Sequence, residues 1–209
     1  GRAPGTDRNT MRALRRDRVE SEADFPRDVA ELQQLLGPPQ HGQRLLAIPG
    51  AGTQVPIWLL GSSLFSAQLA AERSLPYAFA SHFAPRLLLE AIALYRRLFR
   101  PSATLAKPHV MIGVPVIAAP TDDEARYLAS STYQRVLGIL HGDRGLLQPP
   151  VTDFMSGLHP QEKAAVEDFL AAAVIGGPQT QRAGLTALLQ ATDADGKVIR
   201  RLGVNWDVT

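Results

Sequence analysis

Gly61, Ser62 and Ser63 stand where an apolar run meets a segment rich in Ala and Leu. Ile57, Trp58, Leu59 and Leu60 precede them, a run of the length of a buried strand. Leu64-Phe-Ser-Ala-Gln-Leu-Ala-Ala-Glu72 follows at once and reads as a helix. Glycine lets backbone approach closely, and serine hydroxyls beside the first helical amides face the positive end of the helix dipole. Such a turn can seat a phosphate. The same residues also suit a plain helix cap, since serine is a favoured N-cap, and three residues alone do not separate the two readings.

Other chemistries find less support. The histidines are His41, His82, His109, His141 and His159. Only His82 falls at the carboxyl end of an expected strand, where parallel α/β folds carry their sites. The competing reading is a loop histidine held by hydrogen bonds. No pair of histidines or carboxylates has metal-ligand spacing, which argues against a metal hydrolase. Asp122 and Asp123 are explained by favourable charge at a helix start. Ser62 and Ser63 lack the Gly-x-Ser-x-Gly setting of an esterase nucleophile. The chain has no cysteine, so disulfides, thiolate metal sites and cysteine nucleophiles are all excluded.

The elements that must position these residues alternate. Strands are expected at 56–60, 77–81 and 110–118, parallel and adjacent in one sheet. Helices are expected at about 64–73, 85–99, 121–140, 160–173 and 178–190. In the second of them Leu88, Ala91, Ile92, Tyr95, Leu98 and Phe99 share one face. Thr121 with Glu124 has the spacing of a capping box, and Pro178 suits a first helical turn. Upstream, Thr10 to Arg18 and Asp24 to Leu36 read as helical, and Gly37-Pro38-Pro39 ends the second. Residues 40–55 read as a short β-excursion, residues 142–150 as a loop, and the helix from His159 is expected to end near Gly176-Gly177. Strand, helix, strand with short turns is the pattern of a parallel α/β protein.

Here the residues resemble a known family. Leu-Leu-Gly-Ser-Ser-x-x-Ser-Ala-x-Leu-Ala-Ala, then Leu75-Pro-Tyr-Ala-Phe-Ala-Ser-His-Phe83, is similar to the flavin-dependent bacterial luciferase-like monooxygenases. Gly1-Arg-Ala-Pro-Gly-Thr-Asp7 is similar to the end of a mid-barrel strand in that family, and the resemblance runs to about residue 190. It implies an α/β fold of the (β/α)8 TIM-barrel type, present only in part as central and later β/α units, in a single domain over 1–209. It also implies an FMN-dependent monooxygenase acting on a small organic substrate with molecular oxygen. Reduced FMN would come from a separate flavin reductase. By that resemblance Gly61, Ser62 and Ser63 hold the cofactor phosphate, with Ser66 and Ala67 in the helical turn below. Ala80, Ser81 and His82 line the flavin or substrate side, and Arg2 with Gly5 approach from a neighbouring strand end. No catalytic residue is singled out, because the flavin carries the hard chemistry while the protein binds, orients and excludes water. Two alternatives stay open: an inactive truncated remnant or partner-binding fragment of the family, and an oxidoreductase of the same fold that uses the deazaflavin F420.

The chain of 209 residues could bury a sizeable core. With 22 basic and 20 acidic residues its formal charge is only +2. Arg12, Arg15, Arg16 and Arg18 form a local basic cluster without interleaved aromatics, so a solvated helix face is favoured over nucleic-acid binding. The absence of cysteine suits a cytoplasmic location, and with no membrane-length apolar run in the sequence no membrane partner is expected. A homodimer is compatible with the Leu-rich helices.

Some positions depart from the family pattern. Ser74 stands where relatives commonly place the glycine of a left-handed helix end. Pro115 removes a ladder donor from the third expected strand, which should bulge or lie at an edge. The chain starts without Met and already inside the resemblance, so the first barrel strands are expected to be missing. After residue 190, Asp195-Gly196 reads as a turn and 197–204 as a small exposed strand, in place of the apolar strand and helix that close a barrel.

Overall fold

A computed structural model of the chain describes residues 18–143 and 145–192. Two compact units emerge, one formed from residues up to 80 together with 90–112, the other from 81–89 and the residues from 113 onward. Arg2, Gly5, most of the arginine cluster and the turn and strand expected after residue 192 lie outside the described residues.

In the first unit, helix α1 (Arg18–Leu36) runs through Pro26 and ends at Gly37. The segment 38–58 holds turns and extended backbone, without the β-excursion that was expected. The reason lies in where its amides go. Gly52 N–H donates to the Gly37 carbonyl at 2.8 Å and Gln54 N–H to that of Leu36 at 2.9 Å. The loop thereby satisfies carbonyls that the helix end leaves open, instead of pairing with a strand.

Strand β1 (Leu59–Gly61), helix α2 (Leu64–Glu72) and strand β2 (Tyr77–Ala80) then form a parallel unit. The register pairs Leu59 with Tyr77, Leu60 with Ala78 and Gly61 with Phe79. The short helix between paired parallel strands is the expected crossover. Helix α2 buries Leu69 together with Ala67, Ala70 and Ala71, whose small side chains let helix and sheet close up. Ser74, at φ 56°, ends this helical region in the left-handed conformation that its position suggested. A three-residue 3₁₀ turn (Pro85–Leu87) leads into helix α3 (Leu88–Leu98), which buries Ala91, Ile92 and Tyr95 on one face. Strand β3 (Val110–Gly113) neighbours β2, giving the order β1-β2-β3.

The strand expected over 110–118 is in fact two. Pro115 lacks the donor needed to continue a ladder, and β4 (Val116–Ala118) belongs to a second sheet in the second unit. Its partner is β5 (Val174–Gly176), parallel, with Val116 opposite Val174 and Ala118 opposite Gly176. The Pro115 carbonyl still takes part, accepting Val174 N–H at 2.9 Å. Around this pair lie α4 (Asp122–Leu140), a 3₁₀ turn (Phe154–Gly157), α5 (Pro160–Phe169) and α6 (Pro178–Thr192). Helix α5 therefore stops at Phe169, well short of the expected end near Gly176. Gly184 of α6 rides directly on β5: a Cβ there would come within 2.7 Å of a Val174 methyl carbon. Replacing Gly184 by Ala should cost about 1–3 kcal/mol through overpacking, read as a lower urea midpoint with unchanged slope.

Candidate functional site

At the carboxyl end of β1 the chain turns through Gly61, Ser62 and Ser63, all half-buried, and enters α2. Ser63 occupies the N-cap with extended backbone (φ −138°, ψ 162°), yet its side chain forms no cap bond. The plain capping reading of this serine is thus not the one realised. The Ser63 carbonyl is fastened from inside instead. Ser66 Oγ donates to it at 2.7 Å, Tyr77 OH lies 3.4 Å from it, and Ser66 Oγ and Tyr77 OH are 3.2 Å apart. Tyr77 is wholly buried and Ser66 nearly so. Burial pushes the Tyr77 hydroxyl above the usual phenol range, only partly offset by the Ser66 contact, so it stays a neutral donor at physiological pH.

Gly61 is required here for close approach. A Cβ at this position would sit 2.2 Å from Ser66 Oγ and 2.4 Å from Ser66 Cβ. Gly61→Ala should therefore push Ser66 off the Ser63 carbonyl and cost about 1–3 kcal/mol in denaturant unfolding. Ala67 is fully buried in the first turn of α2.

The expected second lining differs from residue to residue. Ala80 is buried at the end of β2. Ser81 is completely buried, and its hydroxyl is committed to the Gly113 carbonyl. His82 is half-buried with its ring 4.2 Å from that of Phe83. Of these three, only His82 offers a polar group toward solvent. Ser62, Ser63, Ser66 and Tyr77 belong to the first unit, whereas Ser81 and His82 belong to the second.

The link from the Tyr77 hydroxyl to the turn was not anticipated in reading the sequence. A signal existed: in Tyr-Ala-Phe-Ala, a strand otherwise of small and apolar residues, a buried tyrosine must find a partner for its OH.

The model of the luciferase-like monooxygenase family matches residues 9–195. The chain belongs to that family. It is 47% identical over 196 residues to the uncharacterized protein YvbT of Bacillus subtilis (strain 168), covering 93% of this chain and 58% of that protein. With a luciferase-like monooxygenase of Escherichia coli (strain K12) it shares 44% identity, covering 93% of this chain and 58% of the relative. Among solved structures, apo-MsnO8 is similar with a TM-score of 0.70 and 27% identity, over 91% of this chain and 57% of that one. The chain thus spans less than two thirds of the length of the relatives it matches.

This luciferase-like chain holds a second strand-to-helix junction, at the ends of β4 and β5, beside a depression of about 350 Å³ lined by residues 120–122 and 177–180. Thr121 caps α4 by accepting Glu124 N–H at 3.2 Å, as its spacing suggested. Asp122 does more than complement the helix dipole. Its Oδ1 accepts Gly177 N–H at 2.6 Å and its Oδ2 accepts the Thr180 hydroxyl at 3.0 Å, so it supplies the anion at the start of α6. The Gly176-Gly177 pair makes room, since a Cβ on Gly176 would lie 2.5 Å from Thr180 Cγ2 and 2.7 Å from Asp122 Oδ1. Beneath them, buried Gln181 donates its side-chain amide to the carbonyls of Ile117, Val174 and Gly176.

The Gly177 amide, then the Thr180 hydroxyl, hold the Asp122 carboxyl below the usual carboxylate range. A carboxylate with a depressed folded pKa contributes stability above its unfolded pKa and loses it as pH falls through the folded value. Asp122→Asn should therefore lower stability at pH 7 and flatten the fall as pH drops below about 4, the unfolded carboxylate value. Urea titrations of both proteins across that range check this.

Proposed function

We propose that the protein is an FMN-dependent monooxygenase of the luciferase-like family acting on a small organic substrate. The turn from Gly61 to Ser63 is its cofactor-phosphate seat. One observation carries this reading: a serine at the N-terminus of a buried helix, at the carboxyl end of a parallel strand, leaves its hydroxyl out of the cap. The donors present fit a phosphate: two half-buried serine hydroxyls beside a helix start whose dipole favours an anion. Gly61 leaves the room in which Ser66 reaches the Ser63 carbonyl behind the turn. Reduced FMN, delivered by a separate reductase, supplies the electrons that activate molecular oxygen. In this reading, which follows the family resemblance, Ala80, Ser81 and His82 belong to the flavin or substrate side of a partial (β/α)8 barrel. Arg2 and Gly5, outside the described residues, belong to the proposed set by family resemblance alone.

The test is flavin fluorescence quenching followed by substrate-coupled oxygen consumption with reduced FMN. FMN binding without coupling is favoured for the 209-residue chain alone, because it spans 58% of the length of these relatives and barrel sites draw on loops after several strands. Absence of any FMN binding, in this chain and in a longer form that carries the same turn, would refute the proposal.

A further inference from the structure

We infer that Tyr77 and Ser66 are positioning residues for the phosphate seat, acting through the Ser63 carbonyl without touching the cofactor. The inference rests on the reading of Gly61–Ser63 as that seat. A helix start binds an anion well only if its first turn is held in place before the ligand arrives, since ordering it at binding would subtract from affinity. An N-cap residue commonly achieves this with its own side chain. Here the Ser63 side chain forms no cap bond, and the cap is held through its carbonyl.

Three oxygens, the Ser63 carbonyl and the Ser66 and Tyr77 hydroxyls, share two hydroxyl hydrogens. Ser66 has a single hydroxyl hydrogen and spends it on the Ser63 carbonyl at 2.7 Å. The Ser66 oxygen can then accept from Tyr77 OH, 3.2 Å away, whose hydrogen also lies near Ser63 O at 3.4 Å. The helical bond from Ala67 N–H to the same carbonyl is long, at 3.4 Å, so the hydroxyl makes the stronger contact. Tyr77 is fixed in turn: its ring packs 5.3 Å from that of Tyr95 and 6.2 Å from that of Phe79. A rigid strand residue thereby sets the orientation of the cap, and the missing Cβ at Gly61 is the space Ser66 needs to make the link. The Ser63 hydroxyl is spared for a ligand.

Tyr77→Phe keeps the ring and removes only the hydroxyl, while Ser66→Ala removes the middle of the relay. FMN and riboflavin differ by the phosphate alone, so their affinities are compared in the 209-residue chain and in both variants by flavin fluorescence. Amide NMR shifts of residues 62–66 under titration with inorganic phosphate provide a second readout that tolerates millimolar binding. The wild-type chain should prefer FMN. Each variant should lose about three- to tenfold in FMN affinity and reduce the phosphate-induced shifts, with riboflavin affinity unchanged. Equal loss for both flavins would show a merely structural role, and no loss for either would show no role; either result overturns the inference. If the wild type itself fails to distinguish FMN from riboflavin and phosphate moves no amide at 62–66, the seat reading falls and this inference with it.

Discussion

Replacing Ser62 and Ser63 together by Asp should abolish FMN binding while leaving the fold intact. Both serines are half-buried at the turn, so the carboxylates keep access to water. Asp is also as good an N-cap as Ser, so Ser63→Asp can cap α2 where the native side chain does not, and the variant should unfold no more readily than the parent. Binding behaves oppositely. Like charges about 4 Å apart repel by roughly 4 kcal/mol at the effective dielectric near a protein surface. Two carboxylates also occupy amides that a phosphate needs. The corresponding Ala pair should be milder, about 1–3 kcal/mol, because the backbone donors remain. Retained thermal stability with lost FMN affinity is the expected pair of results. An Asp variant that binds FMN with unchanged affinity would place the phosphate elsewhere.

How far the sequence led depended on whether a signal was local. The parallel pairing of β1 with β2 was legible because the apolar run, the glycine-serine break and the Ala-rich helix lie within about twenty residues, and each agrees with the next. The left-handed Ser74 and the Thr121 cap were legible for the same reason, since each depends on immediate neighbours. Strand β5 was not. Ala171-Ala172-Ala173 follows a helical stretch, and three strand residues carry too little pattern to be told from a helix continuing. What decides it is β4, more than fifty residues away, whose edge Val174–Gly176 completes. Pro115 gave a true signal, but its consequence, transfer of the chain to a second sheet, needed the same distant partner. At 38–58 the open carbonyls of α1 claimed amides that a strand would have used.

The site divides along the same line. Gly61, Ser62 and Ser63 could be named from spacing, and the family resemblance added Ala80, Ser81 and His82 as a lining. The inward commitment of Ser66 to the Ser63 carbonyl could not be read, nor that of Ser81 to the Gly113 carbonyl. A hydroxyl faces whichever carbonyl the tertiary fold brings near. Asp122 illustrates the point: read locally it is a helix-start acid, and in the fold it is the anion for a different helix, Pro178–Thr192.

Truncating Tyr95 should unfold the first unit more severely than any single change at the turn. Its side chain is fully buried, with its ring 5.3 Å from that of Tyr77 and edge-on to that of Phe99 at 5.6 Å. Its hydroxyl donates to the Leu75 carbonyl at 2.9 Å and accepts His109 N–H at 3.2 Å, so one oxygen ties α3 to the chain entering β2 and β3. Tyr95→Ala removes both the packing and the tie, which should cost about 3–5 kcal/mol out of the 5–15 typical of a whole domain. Tyr95→Phe keeps the ring and should cost about 1–3 kcal/mol, for a buried carbonyl left without its donor. Burial raises the Tyr95 hydroxyl above the usual phenol range, more than the His109 amide lowers it, and Tyr77 is raised similarly. A raised folded pKa means that this stability is present below the unfolded value, near pH 10, and is lost as pH climbs through the folded one. Wild type should therefore lose stability steeply on the alkaline side, and Tyr95→Phe, although weaker at pH 7, should lose less there. Guanidinium midpoints at pH 7 and pH 11 decide it, and parallel pH profiles for the two proteins would show that the Tyr95 hydroxyl is not the buried tie described here.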